Sequence, residues 1–392
     1  MFDFDTLPDR RGTASLKWDF GGRFAGREGL LPLWVADMDF AAPPFIVDAV
    51  ARRAAHAVYG YTLEPESYFE AAMRWLLVRH GWDVRREWLL PAPGVVQTVS
   101  AALLAASVPG DRIVVQPPVY YPFAQRIRAN GREVAENPLI LDGDRYRMDG
   151  EGLERELAAG ARVLILCSPH NPGGRVWTRE ELARAAGLCA RHGAVIVSDE
   201  IHADLALPGR RHVPIASVSE EAARITITCV SATKTFNLAG LGGALAVVSD
   251  GVLSKRLQAA LGAQCAGTAN CFAAAASEAA WRQGADWVDA MLAYVAGNLA
   301  YLADRLPREL AGARVLPLEA TYLAWIDLRG LGLTDDEVRV RLLDAGIWLD
   351  EGRKFGTGGA GFQRLNLACP RSVLVRAVDG MVQALSGGRP GR

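Results

Sequence analysis

The sequence predicts an α/β fold, in which a large and mostly parallel sheet is flanked by helices and joined to a smaller α+β domain. Apolar runs such as residues 162–167 and 194–198 are continuous, which is typical of strands buried on both faces. They alternate with helical patterns such as residues 180–192, as expected where helices cover a parallel sheet. Polar residues follow three of the predicted strands, at the edge where open α/β sheets bind ligands: Asn171, Asp199 and Lys234.

The first part of the chain, residues 1–45, is predicted to form an extended arm. It is rich in aromatic and turn residues but shows no helical period, so we expect it to pack against the small domain or a partner subunit. Helices are predicted at residues 45–56 and 65–80. The first begins after two prolines, and the second ends before Gly81.

Residues 46–285 are predicted to form the large domain. A helix is expected from residue 94 to about residue 106, and the glycine at its start leaves backbone N–H groups free to bind an anion. Residues 252–308 show one long helical pattern, whose last part, residues 285–308, is expected to link two domains. Further strands are predicted at residues 111–116, 224–230 and 244–248.

Residues 286–392 are predicted to form the small α+β domain, because strand and helix patterns alternate differently there. Strands are expected at residues 322–327 and 347–349, with a helix at 334–345 between them. A glycine-rich loop precedes a last strand at residues 362–367, and a final helix starts near Ser372.

Composition and charge exclude several classes of protein. The formal net charge is −1, with 43 basic and 44 acidic side chains, and no charge run indicates binding to nucleic acid or to a membrane surface. The first residues resemble no signal peptide, and no apolar run approaches the ~18 residues of a membrane span. The six cysteines show no C-x-x-C motif, which predicts packing residues in a reducing compartment and no metal site. We therefore predict a cytoplasmic protein.

The stretch around Lys234 organises the predicted site. The chain has only four lysines, and Lys234 follows the β-branched run of residues 224–230. A lysine at the end of a buried strand is costly unless it has a partner or a covalent role. When it is desolvated it loses its proton and can attack a carbonyl. The alternative is a solvated loop lysine, but the surrounding motifs favour the chemical role.

The polar residues at the strand ends form a set with one chemical use. Asp199 supplies a carboxylate close to a lysine that can form an imine, Asn171 supplies an amide, and Tyr120 supplies a flat ring. The helix start at residues 94–96, together with the hydroxyl of Ser231, suits a phosphate. This set matches the requirements of pyridoxal phosphate, whose aldehyde, ring nitrogen, ring oxygen and phosphate each need such a partner.

The chain resembles the fold-type I pyridoxal-phosphate enzymes of the class I/II aminotransferase superfamily. Within that superfamily it is similar to the MalY/PatB group of cystathionine β-lyase-like carbon–sulfur lyases. The resemblance runs over nearly the whole chain, in seven motifs that follow the same order. They lie at residues 33–40, 59–62, 118–122, 168–174, 198–202, 231–237 and 364–366.

The resemblance implies a role for each residue around the cofactor ring. Lys234 would form the Schiff base and act as acid and base at the substrate Cα, and Asp199 would pair with the pyridinium nitrogen. Asn171 and His202 would hydrogen-bond the ring oxygen, although His202 could instead be a core histidine. Tyr120 would stack on the ring. The residues expected to be catalytic are therefore Lys234, Asp199 and Tyr120.

The resemblance also implies how the phosphate and the substrate are bound. Arg364 would hold the substrate carboxylate as a bidentate fork, with Asn171 beside it. Tyr61 would reach the phosphate of the neighbouring subunit, so a homodimer with shared active sites is expected. The backbone near Val35 and Ala36 should approach an amino-acid substrate, whereas Tyr121 could serve only for packing. Within one subunit the phosphate would be bound by Gly94, Val95, Val96 and Ser231.

The predicted activity is α,β-elimination from a cysteine S-conjugate such as cystathionine, which gives a thiol, pyruvate and ammonia. Many relatives carry an arginine eight residues after the lysine, where this chain has Gly242, and the lyase group typically lacks that arginine as well. An aminotransferase of class I/II is the first alternative. The second is a regulatory protein that binds a transcription factor on the same fold.

Overall fold

The structure is a computed structural model that describes residues 2–386. Its strands are β1 (Leu31–Pro32), β2 (Leu89–Ala92), β3 (Arg112–Val115), β4 (Glu133–Glu136), β5 (Ile140–Asp142), β6 (Arg145–Arg147), β7 (Val163–Cys167), β8 (Val195–Asp199), β9 (Thr226–Val230), β10 (Ala244–Val247), β11 (Arg314–Val315), β12 (Leu323–Asp327), β13 (Ile347–Trp348), β14 (Asp350–Glu351) and β15 (Phe362–Asn366). Its α-helices are α1 (Gly21–Ala25), α2 (Pro44–Ala55), α3 (Glu66–His80), α4 (Val95–Ala106), α5 (Pro122–Ala129), α6 (Gly150–Ala158), α7 (Arg179–Arg191), α8 (Glu220–Arg224), α9 (Ala232–Thr235), α10 (Gly251–Ala263), α11 (Cys271–Gln283), α12 (Ala285–Glu309), α13 (Asp335–Asp344) and α14 (Arg371–Leu385).

Seven of these strands form one large sheet, in the order β2-β10-β9-β8-β7-β3-β4. Neighbouring strands are parallel except at β10, which runs antiparallel to both β2 and β9. Side chains alternate along each strand, so one face packs on α4 and α10 and the other on α6 and α7. The predicted α/β fold with a mostly parallel sheet is therefore confirmed.

Edge strand β2 was not predicted from the sequence. It is only four residues long and contains Pro91, which lacks a backbone N–H and is confined to edge strands. It pairs on one side only, with β10. A sequence signal based on continuous β-branched runs does not detect such a strand.

The long helical pattern of residues 252–308 is divided into three helices in the structure, α10, α11 and α12. Asn270 starts α11, because its side-chain oxygen accepts hydrogen bonds from the backbone N–H groups of Phe272 and Ala273 at 3.0 and 2.9 Å. Gly284 lies between α11 and α12. The prediction of one continuous pattern was wrong here, since alanine-rich periodicity alone does not show where a helix is capped.

A second sheet, in the order β11-β12-β15-β14, is antiparallel and packs with the C-terminal helices. The N-terminal arm adds a short parallel pair, in which β1 is bound to β13. The arm is not extended throughout, because α1 forms one helical turn that ends at Gly26 in the left-handed region, with φ 73°. Within residues 2–386, no helix is both long and apolar enough to span a bilayer.

Residues 34–40, which we call the arm loop, run between the two sheets and are bound by an asparagine from each side. Asn237, with φ 59°, accepts a hydrogen bond from the N–H of Met38 at 2.9 Å and donates to the carbonyls of Met38 and Phe40, both at 2.9 Å. Asn366, at the end of β15, donates to the carbonyls of Val35 and Asp37 at 2.7 and 2.6 Å. The two amides thereby fix the backbone of the arm loop.

We predict that Asn366→Ala lowers the free energy of unfolding by about 2–4 kcal/mol, because the carbonyls that its amide binds lose their donor in a buried place. Urea denaturation followed by circular dichroism measures the change. Gln258→Ala on the exposed side of α10 is the control and should change stability by less than about 0.5 kcal/mol. Equal stability of the two variants would contradict the role given to Asn366.

Candidate active site

The ends of the central strands border a cavity of about 670 Å³. Asp199 ends β8, and Asn171 and Lys234 lie in the segments that follow β7 and β9. All three line the cavity, as expected for residues at the carboxyl edge of parallel strands. The other predicted site residues on its wall are Val35, Ala36, Gly94, Val95, Val96, Tyr120, Tyr121, His202 and Arg364.

Lys234 lies in the single turn of α9, which is capped by Ser231. Its side chain is partly exposed towards the cavity, and its Nζ donates a hydrogen bond to the carbonyl of Ala36 at 2.6 Å. Burial lowers the pKa of the Lys234 amine, and this effect outweighs the opposite influence of Asp37. The amine is therefore more readily deprotonated than an ordinary lysine, as a base or nucleophile requires.

The carboxyl group of Asp199 is buried and lacks a cationic partner within 4.0 Å among residues 2–386. It accepts a hydrogen bond from the N–H of Ile201 at 3.1 Å. Burial raises the pKa of Asp199 to about 7, although this hydrogen bond and the charge of Lys234 both act to lower it. A buried carboxylate with this unmet demand for a cation fits a protonated ring nitrogen.

His202 and Asn171 present polar atoms to the same region. Burial lowers the pKa of His202 to about 3, so its ring is neutral at physiological pH. Its Nδ1 is buried and has no hydrogen-bond partner in the described part of the chain. The Asn171 side chain is also buried, and its oxygen accepts a hydrogen bond from Arg364. A ligand oxygen beside His202 would satisfy the unpaired nitrogen.

Arg364, on β15, joins the second sheet to the first. Its Nη1 donates to Asn171 Oδ1 at 3.0 Å, and its Nη2 donates to Asp350 Oδ2 and to the carbonyl of Trp34, both at 2.7 Å. The guanidinium also lies 4.9 Å from the ring centre of Phe355. Its Nε has no partner among the described residues. These contacts fix the orientation of the guanidinium in the cavity wall before any ligand binds.

Two tyrosines form the aromatic part of the wall. The ring centres of Tyr120 and Tyr121 are 5.8 Å apart, and Tyr121 also packs against Phe355 at 5.6 Å. Burial raises the pKa of Tyr120 to about 12, so the phenol remains protonated at physiological pH. Tyr120 therefore offers the cavity a neutral aromatic ring with a hydroxyl group.

The predicted phosphate cradle is present at the start of α4, where Gly94, Val95 and Val96 line the cavity. Ser231 is placed differently from the prediction, because it does not line the cavity. Its Oγ donates to the carbonyl of Gly243 at 2.7 Å and accepts from the N–H of Thr233 at 3.1 Å. The hydroxyl-bearing residue on the cavity wall is Thr233, since the capping geometry turns Ser231 towards the protein.

Tyr61 does not reach the cavity of its own chain. It is fully exposed in the segment before α3, with other exposed apolar residues such as Leu63 close by in sequence. A large aromatic residue in this position is available to another subunit. The predicted role of Tyr61 across a dimer interface therefore stays a prediction.

Sequence reasoning missed three residues that shape the cavity. The hydroxyl of Tyr322 donates to the carbonyl of Ala36 at 3.1 Å, Asp350 pairs with Arg364, and Arg10 reaches the cavity from the N-terminal arm. Tyr322 and Asp350 do lie next to predicted strands of the small domain, where a signal was present. No sequence pattern placed Arg10 there, because its segment has no regular period.

The residues present fit pyridoxal phosphate. Lys234 would bind the aldehyde carbon, and Asp199 would meet the ring nitrogen that its raised pKa and lack of a cation require. His202 Nδ1 and the Asn171 amide would serve the ring oxygen. The phosphate would be bound by the N–H groups at the start of α4, because no side chain occupies the space in front of Gly94 apart from the flexible end of Gln97.

Known proteins resemble this chain over nearly its whole length. Residues 29–381 match the family described as aminotransferase class I and II. Cystathionine β-lyase PatB of Bacillus subtilis is 41% identical over 98% of this chain and 100% of its own. Protein MalY of Escherichia coli is 35% identical over 98% and 99% of the two chains.

Solved structures agree with these sequence matches. The structure of the pyridoxal-phosphate-bound carbon–sulfur lyase of Staphylococcus hominis superposes with a TM-score of 0.92 at 30% identity, covering 99% of both chains. A match of this extent covers both sheets and the arm. The chain therefore belongs to the pyridoxal-phosphate-dependent class I and II aminotransferase family, in its MalY/PatB cystathionine β-lyase group.

Proposed function

We propose that this chain is a pyridoxal-phosphate-dependent carbon–sulfur β-lyase that converts a cysteine S-conjugate to a thiol, pyruvate and ammonia. The observation that carries the proposal is the pairing of a partly exposed, readily deprotonated Lys234 with a buried Asp199 in one cavity. The similarity to the cystathionine β-lyase of Bacillus subtilis supports the same activity.

When bound, pyridoxal phosphate withdraws the electrons released at the substrate Cα into its ring. Asp199 keeps the ring nitrogen protonated, because a carboxylate buried without another cation is stabilised by that proton. Arg364, fixed by Asp350 and Asn171, binds the substrate carboxylate and so orients the Cα–H bond.

The amine of Lys234 removes the Cα proton. The Cβ–S bond then breaks with its electron pair on sulfur, and the three-carbon enamine that remains is hydrolysed to pyruvate and ammonia. The carbonyl of Ala36 accepts a hydrogen bond from the amine at 2.6 Å, so the arm loop holds the base near its site of action. Protonation of the departing thiolate completes the balance of the reaction.

The backbone at Gly242 supports elimination over amino transfer. Its φ is 73°, and a Cβ atom there would lie 2.8 Å from the carbonyl oxygen of Pro93. The arginine that many aminotransferases of the superfamily carry at this position would therefore be strained. The phosphate site of this chain is built without that side chain.

We further propose that the enzyme is a cytoplasmic homodimer whose two active sites are shared. Tyr61 and the exposed apolar residues Val58, Tyr59 and Leu63 support an interface at this segment, because large apolar side chains in one exposed stretch are typical of protein contacts. The near balance of 43 basic and 44 acidic side chains, with no block of one sign, supports an enzyme that acts in the cytoplasm rather than on a membrane surface.

Product analysis with L-cystathionine tests the proposed activity. Pyruvate, ammonia and homocysteine should form without any added keto acid. Lys234→Ala should lower turnover by at least about 1,000-fold, because it removes the base. Lys255→Ala, on the exposed face of α10, is the matched control and should leave turnover unchanged. Amino transfer that requires a keto acid would instead indicate an aminotransferase, and a cofactor-loaded chain with neither activity would indicate the regulatory function.

Asp199→Asn should have opposite effects with and without the cofactor. The folded pKa of Asp199 is about 7, above the ~3.9 of an unfolded aspartate. Its contribution to stability is therefore full below pH ~4 and is lost as the pH rises through 7. At pH 8 the cofactor-free variant should be more stable than the cofactor-free wild type by on the order of 2–4 kcal/mol, a gain that shrinks towards pH 5.

With the cofactor, the same variant should bind pyridoxal phosphate more weakly and lose at least about 100-fold in kcat/KM, because the ring nitrogen loses its negative partner. Urea denaturation at pH 5 and pH 8 and steady-state kinetics measure the two effects. Asp144→Asn, at an exposed turn, is the control. A stability difference that does not change with pH would contradict the raised pKa.

Tyr61→Phe should weaken cofactor retention by about 10-fold while the chain remains a dimer, because only one hydroxyl donor to a phosphate is removed. Dialysis against buffer followed by absorbance of the retained cofactor, with light scattering for mass, measures both quantities. Tyr59→Phe, two residues earlier, is the matched control. Full cofactor retention by a monomer would refute the shared site.

A further inference from the structure

The N-terminal arm forms one wall of the active-site cavity with an ion-pair cluster that the proposed chemistry does not use. Arg10 binds Asp37 with two nitrogens, at 3.1 and 2.7 Å, and binds Asp39 at 2.9 Å. Lys17 binds Asp39 at 2.7 Å and lies 3.5 Å from Asp37. Two cations thus face two carboxylates.

The cluster has an inner half and an outer half. The side chains of Lys17 and Asp39 are fully buried and satisfy each other. Those of Arg10 and Asp37 remain 22% and 16% exposed, and both residues line the cavity. The cavity therefore meets the edge of a neutral pair that offers a guanidinium and a carboxylate side by side.

The same wall carries unmet hydrogen-bonding capacity. Ser15 Oγ and Trp34 Nε1 are buried polar atoms without a hydrogen-bond partner among residues 2–386, and both residues line the cavity. Buried polar atoms in folded proteins are nearly always paired. Two unpaired atoms on one wall of a cavity indicate a polar ligand there.

The position of this wall relates it to the substrate. Asp37 directly follows Ala36, whose carbonyl accepts the hydrogen bond from Lys234 Nζ at 2.6 Å. Beside the charged pair, Ala14 and the half-exposed Leu16 supply apolar surface. A group that leaves the reacting carbon through a short methylene chain would pass this apolar surface and end at the pair.

We propose that Arg10 and Asp37 form a subsite for the leaving group of the substrate, and that this subsite selects a zwitterionic amino-acid end. The inference rests on the proposed lyase function and names its substrate class. Arg10 binds the distal carboxylate as a planar donor, and Asp37 accepts from the distal ammonium. A leaving group with a single charge gains from one member of the pair and is repelled by the other.

Four cysteine conjugates test the subsite on the unmodified enzyme. L-Cystathionine carries both distal charges, S-carboxymethyl-L-cysteine the carboxylate alone, S-(2-aminoethyl)-L-cysteine the ammonium alone and S-methyl-L-cysteine neither. The kcat/KM for cystathionine should exceed that for S-methyl-L-cysteine by about 10- to 1,000-fold, and both singly charged conjugates should fall well below cystathionine. Equal values for cystathionine and S-methyl-L-cysteine would overturn the proposal.

Arg10→Lys then tests the guanidinium itself, since it keeps the charge that Asp37 and Asp39 require and removes the planar donor. The ratio of kcat/KM for cystathionine to that for S-methyl-L-cysteine should fall by about 10- to 100-fold. Arg11→Lys is the matched control, because Arg11 is exposed, packs over Trp18 and does not line the cavity; its ratio should stay at the wild-type value.

The outcomes distinguish a leaving-group subsite from a purely structural role of Arg10 and from a different enzyme activity. If Arg10 only anchors the arm, Arg10→Lys lowers kcat/KM for both substrates together and leaves the ratio unchanged, which overturns the proposal. If the lyase function itself is wrong, none of the four conjugates yields pyruvate. Should Arg10→Lys fail to fold, the order of the four conjugates on the wild-type enzyme still decides the question.

Discussion

The arm loop is the constraint on which the rest of the site depends. Its backbone carbonyls receive hydrogen bonds from Lys234, Tyr322 and Arg364, so the loop contacts the catalytic amine and the arginine at once. Asn237 and Asn366 fix the loop from opposite sides. Because these donors come from both sheets, the position of the loop determines how the two sheets present their functional groups.

The hydrogen bonds to the arm loop account for how tightly a segment without helical or strand period is held. An irregular backbone leaves its N–H and C=O groups without partners, and each such group costs free energy when it is buried. Here the functional side chains themselves supply the missing partners. Stability and activity are coupled through the same hydrogen bonds, since a change at Asn366 alters the support of a carbonyl adjacent to the one that binds Lys234.

Much of the fold and of the site followed from the sequence, for reasons that are local. Strands buried on both faces read as continuous apolar runs, and their polar ends placed Asn171, Asp199 and Lys234 on one edge. Features that depend on tertiary contacts did not follow. The choice of Thr233 over Ser231 depends on a helix cap, and Arg10 reaches the cavity only through its pairing with Asp37 and Asp39.

The left-handed backbone at Gly242 has a consequence for how this enzyme can change over evolutionary time. Any side chain at position 242 meets both an unfavourable φ and the oxygen of Pro93. A single substitution therefore cannot supply a second cationic anchor for the phosphate, because the turn that carries it would first have to be rebuilt. Routes from this active site to the arginine-anchored form need at least two coordinated changes, whereas a change of substrate needs only new side chains on the arm.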